Sequence, residues 1–388
     1  MSTFKEIRGT LIKSVSSDPA NPVLGEMWYN SNSQRLKGVV SITGQWSSGG
    51  NLNTARERLA SANASTQNAG LVFGGNVGTP PSPTASNTSE EYNGSSWTEG
   101  NNLNTARLAL SGAGTQTAGL AFGGGFPVPT LGNKTEEYDG SSWTAVNNMG
   151  TVRAGFGGTG TQTAALAIGA YPAGTTEEYD GTNWTAGGSL GTGRYGIGAA
   201  GTLTAGLAFG GASPVTNATE EYNGTAWTGG GTLNQARFGL AGAGTQTAAL
   251  GFGGAPGPAG KTETEKYDGT SWAVTASLAN ARFYLAGCGT QAAGLAVAGY
   301  SAPVGNLNVT EEFTGGVITN KEIFGKQIKN LSSDPTGAET QGQIWFNTTS
   351  GTFKSLVATG AWSAGGNLIT ARKYLAGAGT QTASLAFG

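Results

Sequence analysis

The sequence predicts an all-β fold, a ring of four-stranded sheets, and three observations carry that prediction. A Trp is followed by Arg ten residues later at Trp46–Arg56, Trp97–Arg107, Trp143–Arg153, Trp184–Arg194, Trp227–Arg237, Trp272–Arg282 and Trp362–Arg372. In five of these units a Tyr stands five residues before the Trp: Tyr92, Tyr138, Tyr179, Tyr222 and Tyr267. Between Tyr and Trp comes Asn-Gly or Asp-Gly, as in Asp139-Gly140 and Asn223-Gly224, read as a two-residue hairpin turn with positive φ angles. A unit of about 41 to 51 residues with four short strands, repeated radially, describes a β-propeller blade.

Each unit has the same order. After the Arg comes an alternating apolar stretch such as "FGLAGAG" (Phe238–Gly244), then the turn "TQT", then "AALGFGG" (Ala248–Gly254). A variable loop leads to "TEEY", the Gly turn and the Trp strand. No helical period appears in these units. Tyr and Trp are expected to pack between blades, and Gly-Gly to let the inner strands crowd at the axis. The Arg either stacks on a Trp or pairs with a Glu of "EE".

Composition excludes several function classes. Gly is 68 of 388 residues but periodic, which points to tight turns and close-packed backbone rather than low complexity. A formal net charge of −2 and no basic stripe argue against nucleic-acid binding. The apolar runs are too short to cross a bilayer, and "MSTFKEIRGT" lacks the pattern of a secretory signal, so neither membrane insertion nor export is expected. One cysteine, Cys288, leaves no internal disulfide and reads as a small packed residue. The absence of histidine removes His-based nucleophile systems and His metal sites. The paired carboxylates recur in nearly every unit, as scaffolding would. No catalytic residue, metal or cofactor is expected.

A longer repeat frames the units: Lys5 to Arg56 matches Lys321 to Arg372, sharing Lys-Glu-Ile, Ser-Ser-Asp-Pro, Gly-x-x-Trp-aromatic-Asn and a final Trp-Ser. The organisation expected is an N-terminal module (1–47), six blades (48–319), a second copy of the module (320–363) and inner strands (364–388). The favoured closure is seven blades, with residues 371–388 pairing with 25–47 in a blade holding both termini. The alternative is six blades, with residue 320 starting a second unit.

The Gly-Gly pairs that close the second strand (Gly123-Gly124, Gly210-Gly211, Gly253-Gly254), followed by Tyr and Trp, resemble the kelch family over residues 47–319 and 363–388. The blocks "GEMWYNSNSQRLKGVV" and "GQIWFNTTSGTFKSLV", with the "AGAGTQTAGLAFGGG" repeats (Ala113–Gly125), are similar to structural proteins of tailed, particularly marine, bacteriophages. That resemblance implies a non-enzymatic virion protein, a tail, fibre or decoration component serving attachment or assembly. Its partners would be other virion proteins, further copies of itself and host surface glycan. A cellular kelch-type interaction scaffold and, more remotely, a carbohydrate-active enzyme are the other readings.

Recognition is expected in the variable loops between second and third strands. Phe126, Tyr171 and Tyr300 directly follow second strands and could stack on sugar rings, with Asn133, Asn217 and Asn306 offering hydrogen bonds.

Overall fold

A computed structural model describes residues 13–19, 27–41, 44–79, 81–125, 132–170, 174–315, 318–322, 329–331, 344–347, 352–355, 376–380 and 383–387. Every regular element among them is a strand. The chain forms two compact units, residues 41–319 and residues 1–40 with 320–388.

Residues 41–319 form six four-stranded antiparallel sheets. Blade 1 comprises Ala60–Ser61, Leu71–Phe73, Ser89–Tyr92 and Trp97–Glu99. Blade 2 comprises Ser111–Thr115, Ala118–Phe122, Thr135–Tyr138 and Trp143–Val146. Blade 3 comprises Gly157–Thr161, Ala164–Ile168, Thr176–Tyr179 and Trp184–Gly187. Blade 4 comprises Gly198–Gly201, Gly206–Phe209, Thr219–Tyr222 and Trp227–Gly229. Blade 5 comprises Phe238–Thr245, Ala248–Ala255, Thr264–Tyr267 and Trp272–Val274. Blade 6 takes Ala286–Gly289, Ala293–Ser301 and Gly305–Thr314, and its fourth strand is Gln45–Ser48. The first strands neighbour one another in cyclic order, with blade 6 meeting blade 1.

Within residues 41–319 six blades therefore meet in a ring, the blade count of the alternative reading. Blade 6 runs "TEEF" and has Ile318, not Trp, five residues after Phe313. Trp46 fills that place, pairing with Phe313 as Trp143 pairs with Tyr138. Gln45–Ser48 is thereby not available to residues 371–388, where Ala376–Thr380 and Ala383–Phe387 form a two-stranded sheet of their own.

Packing explains the small residues. A Cβ on Gly158 would stand 2.6 Å from the Phe122 ring, and one on Gly287 would stand 2.5 Å from Phe252. Each of these second-strand Phe rings occupies the space a side chain on the next blade's first strand would need. The same rings meet the Trp of the next blade: Phe73–Trp143 at 4.9 Å, Phe122–Trp184 at 5.0 Å and Phe252–Trp46 at 5.1 Å. The Gly-Gly pairs lie elsewhere than expected. Gly123 and Gly124 have φ of 66° and 79° at the end of the second strand, where only a residue without Cβ turns without strain. The Gly123 carbonyl accepts from Arg107 and the Gly124 amide donates to Arg153, so the pair ties two blades rather than crowding the axis.

Three polar clamps hold each blade to its predecessor. All six Trp indoles donate to a Ser or Thr hydroxyl there, from Trp46–Thr264 round to Trp272–Thr219. The Gln of the first turn donates twice to carbonyls at Gln67, Gln116, Gln162, Gln246 and Gln291; Leu203 takes that place in blade 4. Tyr92, Tyr138, Tyr179, Tyr222 and Tyr267 each donate to the second Glu of the neighbouring "EE" strand. The junction of blades 5 and 6 is the exception: Lys266 replaces the Glu and Phe313 the Tyr, with the ammonium 5.2 Å from the ring centre. Cys288 is buried in the core beside Leu295, and burial pushes its thiol to about 12.

The Gly turns are four-residue loops rather than two-residue ones. Tyr138 pairs with Trp143, the Asp139 side chain accepts from the amides of Ser141 and Ser142, and only Gly140 has positive φ, 87°.

In the other unit the long repeat folds alike twice. Lys13–Val15 runs parallel to Met27–Asn30, which pairs antiparallel with Arg35–Ser41. Lys329–Leu331, Ile344–Asn347 and Thr352–Ser355 repeat this, with Lys329 opposite Trp345 as Lys13 is opposite Trp28. In the first copy Asp18 accepts from Trp28 Nε1 (3.0 Å), Asn30 Nδ2 (2.7 Å) and Lys37 Nζ (2.7 Å). Burial opposes the Asp18 charge, but these donors outweigh it and hold its carboxyl below the ordinary value. The same residue types recur at Asp334, Trp345, Asn347 and Lys354.

Burial, then the bond to Glu, raises the clamp tyrosines above 10.0, to about 12 for Tyr92 and Tyr267. A phenol raised by folding adds stability that is complete below the unfolded value and is lost as pH climbs through the folded value. Alkaline unfolding is therefore expected between about pH 10 and 12, with tyrosinate absorbance rising together with loss of near-ultraviolet dichroism. Titration of these tyrosines near pH 10 in a still-folded protein would contradict this. A double-mutant cycle checks the exceptional junction: Lys266→Glu and Phe313→Tyr each destabilise, and together they recover about 0.5–3 kcal/mol of coupling in urea denaturation.

Candidate functional site

The buried Arg of each unit orders the face on which a site can form. Its guanidinium pairs with the first Glu of "EE": Arg56–Glu90 at 2.7 Å, Arg107–Glu136 at 2.9 Å, Arg153–Glu177 at 2.5 Å, Arg194–Glu220 at 2.5 Å, Arg237–Glu265 at 2.7 Å and Arg282–Glu311 at 2.8 Å. The carboxylate also receives amides of the linker that enters the blade, such as Asn53, Asn104 and Asn234. Linkers and variable loops then meet on one face through the bridges Glu57–Asn76, Tyr195–Ala212, Lys261–Arg282 and Phe283–Tyr300.

Two residues beyond each Arg the linkers touch round the axis. The Arg58 amide donates to the Tyr284 carbonyl (2.8 Å), Ala109 to Arg58 (2.9 Å) and Gly155 to Ala109 (2.8 Å). Gly196 donates to Gly155 (2.6 Å), Gly239 to Gly196 (2.6 Å) and Tyr284 to Gly239 (2.7 Å). This is a closed circle of six hydrogen bonds in which every member donates once and accepts once. All six residues have left-handed φ, from 52° at Arg58 and Tyr284 to 66° at Gly155.

The circle rims a cavity of about 350 Å³, the axial mouth, lined by Arg58, Tyr195 and Tyr284. Its floor is an apolar hexagon: Leu59, Leu110, Phe156, Ile197, Leu240 and Leu285, one residue from each blade. A smaller space of about 100 Å³ continues beneath, between the Gly, Ala and Ser residues of the first strands. The Arg58 guanidinium lies 4.4 Å above the Tyr284 ring and 3.9 Å from Glu57. Burial pushes the Tyr284 phenol up, and the charge of Arg58 works against that shift. Tyr284 of the rim belongs to an aromatic group with Phe238, Phe283 and Tyr300, with Phe283–Tyr284 at 4.8 Å. A cationic group above aromatic faces over an apolar floor can take a ring-shaped polar ligand. Among the described residues no three His, Cys, Asp or Glu side chains converge as a metal site would need. No helix there is long and apolar enough to cross a membrane.

Of the loop residues predicted for recognition, Tyr300 packs edge-on against Phe283 (5.6 Å), the neighbour of Tyr284, and is not itself among the residues lining the mouth. Asn133 and Asn217 donate to the carbonyls of Met149 (3.3 Å) and Leu233 (3.0 Å), as Asn87 and Asn308 donate to Leu103 and Leu52. Asn306 donates to Asn76 and Gly78, joining the loop of blade 6 to that of blade 1. These amides pin the loops at repeated positions. Phe126 and Tyr171 lie outside the described residues. The mouth itself escaped the sequence reading, although a signal existed. The position two after each Arg reads Arg58, Ala109, Gly155, Gly196, Gly239 and Tyr284, two large side chains among small ones.

No protein-family model and no curated protein sequence matches the chain.

The circle makes a stability prediction. A Cβ on Gly155 would meet nothing nearer than 4.0 Å, so Gly155→Ala tests backbone conformation without a clash. Its φ of 66° sets the expected loss at roughly 1–2 kcal/mol in urea denaturation. An unchanged midpoint would contradict the left-handed geometry.

Proposed function

We propose that the protein is a non-enzymatic virion component of a tailed bacteriophage whose disc presents one face for attachment, with surface glycan as the ligand class. The observation that carries the recognition part is a division of labour within the ring. The charged pairs, clamps and loop-pinning amides are committed to the scaffold. The one face where variable loops meet the axis carries instead a cavity with Arg58, Tyr195 and Tyr284 at its rim. Binding groups held by a rigid scaffold lose little freedom on engagement. The virion part rests on the resemblance of the long repeat and the Ala/Gly-rich blades to phage structural proteins. Many copies on a particle would convert weak single contacts into firm attachment.

The test combines location and contact. Antibody against the purified protein is expected to label intact particles of the phage that encodes it, and the fluorescent protein to bind that phage's host cells. Arg58→Ala with Tyr284→Ala is expected to weaken cell binding by about tenfold or more, equivalent to about 1.4 kcal/mol. Unlabelled particles would contradict the virion reading, and unaltered binding by the double variant would contradict the mouth.

A further inference from the structure

The six Arg–Glu pairs are not equivalent, and the odd one stands beside a cleft. In blades 1, 2, 3 and 5 the Arg Nη1 donates to the Gly ending the second strand and to the carbonyl before the third, while Nη2 holds the Glu. In blade 6 Arg282 uses Nη1 for Glu311 and Nη2 for Ala296. In all five, both terminal nitrogens have partners and only Nε lacks one. Arg194 of blade 4 is turned. Its Nε donates to Gly210 (2.9 Å), its Nη1 to Glu220 (2.5 Å), and its buried Nη2 has no partner. The unpartnered nitrogen is thus an amino group with two donors at Arg194, and a single Nε–H in the other five.

The same blade is bare where the others are covered. The residue directly opposite the paired Glu in the sheet is Glu99, Ala145, Ala186, Val274 or Ser48 in the other blades, but Gly229 in blade 4. Opposed residues share a face of the sheet, so a side chain there shields the Glu. The Glu220 side chain is accordingly 12% exposed, against 2–7% for its counterparts. A Cβ on Gly229 would meet nothing within 4 Å. Gly229, Arg194 and Glu220 line a cleft of about 540 Å³, walled also by Thr192, Ser213, Pro214, Thr216 and Thr232.

This lining selects a chemistry. Arg194 and Glu220 cancel in charge, so an anion would meet the carboxylate and a cation the guanidinium. An apolar ligand would leave the Arg194 donor unsatisfied. A donor and an acceptor side by side in the lining match two neighbouring hydroxyls: one accepts from the Arg194 guanidinium, the other donates to the Glu220 carboxylate. Threonine methyls and the Pro214 ring supply an apolar wall for the C–H face of a sugar. We propose that the blade 4 cleft binds a neutral monosaccharide unit, with Arg194 and Glu220 gripping a vicinal diol. The proposal rests on the glycan-recognition reading for its ligand class, but it uses none of the residues of the axial mouth.

The test is saturation-transfer NMR and calorimetry with the methyl glycosides of glucose, galactose, mannose and N-acetylglucosamine. At least one is expected to bind saturably, about tenfold or more weaker in Gly229→Leu and in Arg194→Lys, and unchanged in Val274→Ala, an exposed residue of neither site. A Cβ at position 229 clashes with nothing, so Gly229→Leu covers Glu220 as the side chains of the other blades cover theirs, and an unchanged melting temperature separates lost binding from lost folding. Absence of saturable binding to every glycoside would overturn the proposal, as would undiminished binding by Gly229→Leu or preference for acetate or sulfate. Loss only in Arg58→Ala would keep recognition at the mouth and remove the cleft. Glycoside binding in a protein that does not bind host cells would keep the cleft and remove attachment.

Discussion

Around the axis, each blade satisfies what its neighbour leaves unsatisfied, and the circle of six backbone hydrogen bonds at Arg58, Ala109, Gly155, Gly196, Gly239 and Tyr284 is the most exacting case. Such a circle has no first or last member, so it exists only if the ring is closed. It also demands a backbone conformation that L-residues resist. Three positions meet the demand with Gly; Arg58, Ala109 and Tyr284 hold it despite their side chains. The strain at Arg58 and Tyr284 coincides with the mouth, where a large side chain projects from a fixed rim. Closure has the second effect of covering the faces that blade 6 and blade 1 turn to each other, where Trp97 reaches Thr310 and Ser61 reaches Gly287.

The buried Arg–Glu pairs position that circle. Each places a charged pair where desolvation offsets much of the attraction, so their value lies less in net stability than in geometry. The Glu holds linker amides, the Arg holds the Gly that bends the second strand, and the residue two beyond the Arg is thereby delivered to the axis. Where the repeat departs from its rule, the departures pair up. Lys266 faces Phe313 instead of Glu facing Tyr, and at the seam between blades 3 and 4 Leu203 packs against the apolar core where other blades use Gln. Gly229 and the turned Arg194 are likewise neighbours in one blade.

Much of the fold was legible because spacing in sequence is spacing in a blade. The step of five from Tyr138 to Trp143 spans one four-residue loop, and the step of ten from Trp143 to Arg153 spans the fourth strand and the linker after it. Pairing of Arg with the first Glu was one of the two roles the sequence offered. The blade count was harder, because Trp46 and Trp362 stand in matching frames and either could complete a blade. The absence of a Trp after Phe313 was the distinguishing sign, and its meaning depends on which strands meet in space. The site was the least legible part. Asn133 and Asn217 look like recognition residues on variable loops, yet their amides face a carbonyl sixteen residues away, a contact set by the curvature of the blade. The mouth and the cleft arise from single departures, Arg58, Tyr284 and Gly229, at positions whose neighbours come from other units.

Hydrogen exchange at the six circle amides tests closure most directly. In a closed ring all six are expected to exchange slowly and at one common rate, because none can open unless the ring does. Trp46→Ala, which weakens only the seam strand of blade 6, is further expected to accelerate all six together. Graded rates that differ from blade to blade, or a Trp46→Ala effect confined to Arg58 and Tyr284, would contradict a closed ring of six.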